Sequence, residues 1–301
     1  MPLKLIYLDT NLWNRLMDQN VDPEKLLSDL RAKNATLVLS GHTIYEMSRT
    51  FLSSAPGAAP RAQELFDYIK QYVDAGIPYA HDNMQQLQGE VKALTTGSAT
   101  VDAFFGQEDY KLLRSEVDKL ANGILDDKAL EFIVGRRRFS ESTRSDQKRH
   151  LQEKEHVRTR LQTISDEQLS AWLDEQTVTD NGAAILARQL LRIYDEIPQE
   201  VVIRIAVDLL RIAPSRLARG VVRADLYYNW RCAQRGSNRK DLVDDLYHVL
   251  NASWCHIYAT AEPAQADYAS LILGNSTEVA IYDGEMPVDE WLISLVNRSD
   301  E

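Results

Sequence analysis

Apolar residues gather along this chain in two patterns. Near both ends stand short unbroken apolar runs, of which Leu5-Ile6-Tyr7-Leu8 is the first. With no polar residue alternating through it, such a run reads as a strand buried on both faces. Residues 36–39 and 256–259 read the same way, and 278–282 reads as a last strand. Between these runs apolar positions recur at helical spacing. Helices are expected over 11–17, from the Asp22-Pro23-Glu24 start signal to about residue 33, and over 43–51, 61–74, 241–252 and 264–273. The segment 53–60, rich in Ser, Ala, Pro and Gly, reads as a loop.

From about residue 85 to 228 the periodicity is helical, broken at Gly97, Gly123, Asn181-Gly182 and Pro198, and strand-like runs are scarce. The stretch 140–160 carries many charges and few apolar residues, so a solvent-facing position is expected. Strand–helix alternation at both ends predicts one α/β domain made from residues 1–80 and 231–301, with a large helical insertion over 81–230. No internal repeat is evident.

Acidic residues fall at comparable points of this alternation. Asp9 ends the first strand, and Glu46 lies about one turn into the helix after the second. Asp241, Asp244 and Asp245 crowd the start of a later helix, and Glu262 follows the strand ending at Thr260. In open parallel sheets ligands bind in the crevice beyond the carboxyl ends of the strands. Carboxylates gathered there repel one another unless a cation holds them or some take up protons. Mg²⁺ or Mn²⁺ prefers oxygen ligands and keeps several waters, so a few carboxylates suffice, and the chemistry that suits them is metal-assisted phosphodiester hydrolysis.

Composition constrains the picture modestly. At 301 residues, 44% hydrophobic and 26% charged, the chain is an ordinary globular one with no run near the roughly 20 apolar residues of a membrane span. No signal-peptide order is read at the N-terminus, where Asp9 interrupts the apolar run. Cys232 and Cys255 form neither a CxxC motif nor a disulfide framework, so a reducing cytoplasm is the expected location and Cys255 a small core residue. The net charge of −11 argues against adhesion to nucleic acid over the whole surface, yet leaves room for a local basic track. Two tracks are candidates. Arg136, Arg137, Arg138, Arg144, Lys148, Arg149, Lys154, Arg158 and Arg160 lie close together, though acids interleave them as on a solvated helix. Arg235, Arg239 and Lys240 directly precede the third acidic group and are the better candidates for substrate phosphates.

Leu8-Asp9-Thr10-Asn11, Ser40 with Glu46 six positions on, Asp245-Leu-Tyr-His248 and Thr260-Ala-Glu262 resemble the ordered motifs of PIN-domain nucleases. The resemblance covers roughly residues 3–75 and 235–285 and leaves the helical middle outside it. It implies a three-layer α/β/α fold with a central parallel sheet, and a Mg²⁺- or Mn²⁺-dependent endoribonuclease acting on nucleic acid, single-stranded RNA in first place. Asp9, Glu46 and Asp245 would be the principal acids, with Glu262 at a fourth position where the family more often has Asp. Asp244 remains a candidate metal ligand beside Asp245, because the two lie about 100° apart on a helix and only one is expected to face the crevice. An inhibitory protein partner is compatible with the resemblance; oligomeric state is not read.

Other roles stay open for several of these residues. Thr10, Asn11 and Ser40 are candidates to contact substrate, but turn and capping roles compete. Asp241 reads as a cap for its helix. His42 and His248 read as structural histidines. The alternative function is a PIN-like module that binds RNA or protein without cutting, kept open by Glu262. A phosphatase with Asp9 as nucleophile ranks last, since position 11 is Asn where such enzymes carry a second Asp.

Overall fold

Strand β1 (Lys4–Leu8) is the middle of a five-stranded sheet with order β3-β2-β1-β4-β5, every pairing parallel. The computed structural model describes residues 3–153, 155–211, 215–235 and 242–298. The other strands are β2 (Ala35–Ser40), β3 (Tyr79–Ala80), β4 (Ile257–Thr260) and β5 (Glu278–Ile281). The chain leaves β1 outward through β2 to β3 and later returns to β4 on the opposite side of β1. That reversal of strand order opens a crevice at the carboxyl end of β1.

Period-two alternation divides the sheet between two cores. Ile6, Leu8, Leu37, Leu39, Ile257 and Ala259 face one side. There they meet α1 (Thr10–Asp18), α2 (Pro23–Ala32), α4 (Ala58–Asp74), α6 (Gln107–Ala121) and α15 (Val288–Arg298). Tyr7, Val38, Ala80 and Tyr258 face the other side. Against them pack α5 (Asn83–Thr96), α8 (Glu155–Gln162), α9 (Asp166–Thr177), α10 (Asp180–Leu190), α11 (Gln199–Arg211), α12 (Arg216–Arg235), α13 (Leu242–Asn251) and α14 (Pro263–Leu273). Helix α3 (Gly41–Arg49) follows β2, and α7 (Asp127–Glu153) carries the first basic stretch. The molecule is thus α/β, with helices on both faces of a parallel sheet. The middle helices are not peripheral to it, because α5 and α8 to α12 share a core with one face of the strands. Among the described residues no helix is long and apolar enough to cross a membrane.

Local chemistry accounts for the boundaries. Asp22 accepts from the amides of Glu24 (2.9 Å) and Lys25 (3.2 Å) and starts α2 as its sequence signals. The expected loop over 53–60 is shorter than its composition suggests. Gly57 sits at φ +77°, where glycine carries no steric penalty, and α4 begins directly after it. Pro60 falls in the first turn, whose amides lack intrahelical partners in any case. The break expected at Asn181-Gly182 falls just before it, between α9 and α10, and Asn181-Gly182 lies in the first turn of α10 behind the cap Thr179.

One buried carboxylate ties the middle helices together. Glu90 of α5 is 2% exposed and accepts from the first-turn amides of α12, Leu217 N (2.7 Å) and Ala218 N (2.9 Å). Burial outweighs those bonds and pushes its carboxyl up to about 7, from 4.5. The folded chain therefore binds this proton more tightly than the unfolded chain, and Glu90's contribution to stability falls as pH rises from 4.5 through 7, by about 3 kcal/mol at the limit. Glu90→Gln keeps an acceptor for the helix and removes the titration. Denaturant melts should show the variant gaining on wild type as pH rises from 4.5 to 8. A difference that stays flat over that range refutes the assignment.

Candidate metal centre

Three strand ends deliver polar side chains to the crevice. Asp9 follows β1 directly, is buried, and caps α1, with Oδ1 accepting from Leu12 N at 2.9 Å. Its Oδ2 accepts a short hydrogen bond from the hydroxyl of Thr260, the last residue of β4, which also lies 2.8 Å from Gln265 Oε1. Glu262, two residues beyond β4, lies at the start of α14, and Asn11 Nδ2 donates to its Oε1 at 2.5 Å. From the end of β2, α3 carries Glu46 inward. Its side chain is 19% exposed, so it is enclosed only in part.

Glu46 is the hub. Its Oε2 accepts from Thr10 Oγ1 at 2.5 Å and from His248 Nε2 at 2.7 Å, while its Oε1 stands 3.5 Å from His42 Nε2. His42 is one helical turn before Glu46 on the same face of α3, and α13 supplies His248. The other ring nitrogen of His248, Nδ1, bonds the Tyr7 hydroxyl at 2.9 Å, which also meets Ser40 Oγ (2.7 Å) and Thr43 Oγ1 (3.2 Å). Tyr7 points to the face of β1 opposite Ile6 and Leu8, so its hydroxyl reaches from the sheet to the ring.

The charges are uneven. Burial pushes the Asp9 carboxyl above its usual range, against the bonds from Thr260 and Leu12 N. Burial would raise Glu46 too, but His248 and His42 together overcome it and hold this carboxyl well below the usual range. On His248, burial is opposed by Glu46 first and then by Asp9 and Asp245, and the ring titrates above its ordinary value. His42 stays neutral more readily, because burial outweighs its contact with Glu46. Both shifts run toward a carboxylate against an imidazolium in the Glu46–His248 pair.

The sequence candidates divide accordingly. Asp9, Glu46, Asp245 and Glu262 share one electrostatic neighbourhood, since Asp9, Asp245 and Glu46 all act on His248, and Glu262 acts on Asp9. Among the described residues the compact ligand set is a different one, however. His42, Glu46 and His248 have donor atoms within 4.8 Å of one another and can hold a metal ion. Only Glu46 belongs to both sets. Asp244 is mostly buried and stands 3.3 Å from the Arg49 guanidinium. Ser40, expected to meet substrate, is fully buried, caps α3 through Thr43 N and binds Tyr7, so its hydroxyl serves the interior. Thr10 is half-buried and engaged by Glu46; Asn11 is exposed. Arg235 is exposed at the end of α12, while Arg239, Lys240 and Asp241 lie outside the described residues. In the first basic stretch, Arg137 pairs with Glu141 at 3.2 Å and Arg138, Arg158 and Arg160 are exposed. Lys154 and the side chains of Arg144, Lys148 and Arg149 lie outside the described set. The histidines were legible only as a spacing, His42 four before Glu46 and His248 three after Asp245, and a lone histidine in an apolar helix is ordinarily structural.

Behind α13 a cavity of about 500 Å³ is lined by Phe132, Arg136, Arg192, Tyr228 and Tyr247 among others. Tyr247 also stacks on His42, with ring centroids 6.2 Å apart, so cavity and centre share a wall. No family model, curated protein or solved structure matches the chain.

Proposed function

We propose that this chain is a PIN-like, metal-dependent endoribonuclease that hydrolyses phosphodiester bonds. What supports the reading is that Asp9, Glu46 and Asp245 all act electrostatically on His248, and Glu262 on Asp9, beside the crevice where strand order reverses. Asp9, Glu46, Asp245 and Glu262 would hold Mg²⁺ or Mn²⁺, which when bound would supply charge neutralisation at the phosphoryl oxygens and acidify water. The chain's own groups set the frame. Asp9 is fixed by Leu12 N and Thr260, so its carboxylate has little freedom to reorient. Asn11 orients Glu262 at the open rim. Thr10 and His248 hold Glu46 against the sheet. Single-stranded RNA suits the neighbouring surface, where arginine beside aromatic rings offers backbone charge and stacking faces.

Hydrolysis adds water across the P–O bond and does not use the ribose 2′-hydroxyl as nucleophile. The wild-type protein should therefore cut single-stranded RNA with Mn²⁺ or Mg²⁺, stop on chelation, and leave no 2′,3′-cyclic phosphate. Cyclic phosphate products, or cutting that survives EDTA, would refute metal-assisted hydrolysis. The binding-only reading draws on Glu262, already occupied by Asn11. It predicts RNA retention on a filter with no cleavage under any metal.

A further inference from the structure

Beside the carboxylate edge stands a set of ligands of another chemical kind. His42 is 2% exposed; among the described residues its Nδ1 meets no hydrogen-bond partner and its Nε2 has only the 3.5 Å approach to Glu46 Oε1. A buried imidazole left so poorly bonded is costly, and a role for its lone pair is the natural account. His248 is prepared for the same role in the way metal-binding histidines are. Its Nδ1 is fixed by Tyr7, which is itself anchored by Ser40 and Thr43, and this sets the ring's orientation while Nε2 faces Glu46. The carboxylate between them is partly open, so an ion reaching it has a solvent side.

We propose that His42 Nε2, Glu46 and His248 Nε2 form a cation site selective for a borderline transition ion of the Zn²⁺ or Co²⁺ class over Mg²⁺. Two imidazoles and one carboxylate match the donors that Zn²⁺ takes in open sites with three protein ligands. Mg²⁺ demands oxygen donors and near-octahedral geometry, which two buried imidazoles do not provide. Glu46 is common to this site and to the carboxylate edge, and the chain therefore offers two adjoining positions of different preference. The Zn²⁺ position rests on its own geometry and does not require that the protein cut RNA.

The test uses the full chain stripped with a chelator and titrated with Co²⁺ followed by absorption, and with Zn²⁺ followed by calorimetry. One ion should bind per chain, excess Mg²⁺ should not displace it, and the His42 and His248 ring resonances should be the histidine signals most shifted by Co²⁺. His42→Ala should weaken binding by at least ~100-fold, and Tyr7→Phe by ~10-fold, the range seen when an outer-shell partner is lost. Asp9→Asn should retain the ion. Zn²⁺ uptake unchanged in a folded His42→Ala, displacement by Mg²⁺, or Co²⁺ shifts on other histidines would each overturn the site. Should His42→Ala fail to fold, the wild-type ring shifts decide the matter. A protein that takes up Zn²⁺ through His42 yet cleaves no RNA sustains this site and defeats the nuclease reading.

Discussion

Asp9→Asn should lose RNA cleavage by on the order of 10³-fold or more, about 4 kcal/mol of transition-state stabilisation, while the metal-free protein melts at the same temperature or higher. The second half of that expectation follows from the local hydrogen bonds. Asp9 is buried, and burial pushes its carboxyl up from 3.8. The folded chain holds this proton more tightly than the unfolded one, so Asp9 contributes less to stability as pH rises above 3.8. An amide removes that liability. Its oxygen still accepts from Leu12 N, and its nitrogen can donate to Thr260 Oγ1, leaving the threonine proton for Gln265. What the amide lacks is the negative charge a divalent cation needs. Wild type should accordingly melt higher when Mn²⁺ is added, by the linkage of ligand to the folded state, and the variant should respond much less. Cleavage unchanged in Asp9→Asn sinks the carboxylate mechanism. Cleavage and folding lost together would instead make Asp9 a structural cap.

How much of this was legible depends on the range of the forces concerned. Buried strands announce themselves locally, and Leu5–Leu8 and 36–39 fall where the apolar runs place them, as β1 and β2. β3 is two residues long, Tyr79 and Ala80, and no pattern can be read from so short a run. Helix α15 carries a plain helical stripe in Val288, Trp291, Leu292, Leu295 and Val296, yet strand–helix alternation alone gave no element there. The acids at the strand ends could be nominated from sequence because topology places strand ends together. The His42–Glu46–His248 set could not. It needs α3 and α13, about 200 residues apart in sequence, to meet across the end of β1, and neither histidine carries a local mark of that meeting. Ser40 was left between two roles for a related reason. A serine at a strand end caps a helix as readily as it binds a phosphate, and the capping bond to Thr43 N and the bond to the Tyr7 hydroxyl form only in the folded chain.

Glu46→Gln should cost the metal-free protein about 2 kcal/mol near pH 5.5, and that cost should depend on pH with a definite shape. Glu46 titrates well below its ordinary 4.5, so the stability it provides is present above 4.5 and lost as pH falls through its depressed value. His248 titrates above its ordinary 6.5, so its contribution is full below 6.5 and lost as pH rises through the raised value. Both hold between about 4.5 and 6.5, and in that window the gap between wild type and variant should be widest. The fold should survive the change, because a glutamine oxygen can still accept from Thr10 and from a neutral His248 ring that keeps its proton on Nε2 while the Tyr7 hydroxyl donates to Nδ1. Urea melts of both proteins from pH 4 to 9, with chelator present, read the gap directly. A gap of constant size across that range would mean the Glu46–His248 contact is a neutral hydrogen bond, and the charge assigned to the centre would have to be withdrawn. A peaked gap that vanishes when saturating Zn²⁺ is added to wild type would mean the opposite of what the site requires, because an ion on Glu46 should widen the difference from a variant that has lost that carboxylate.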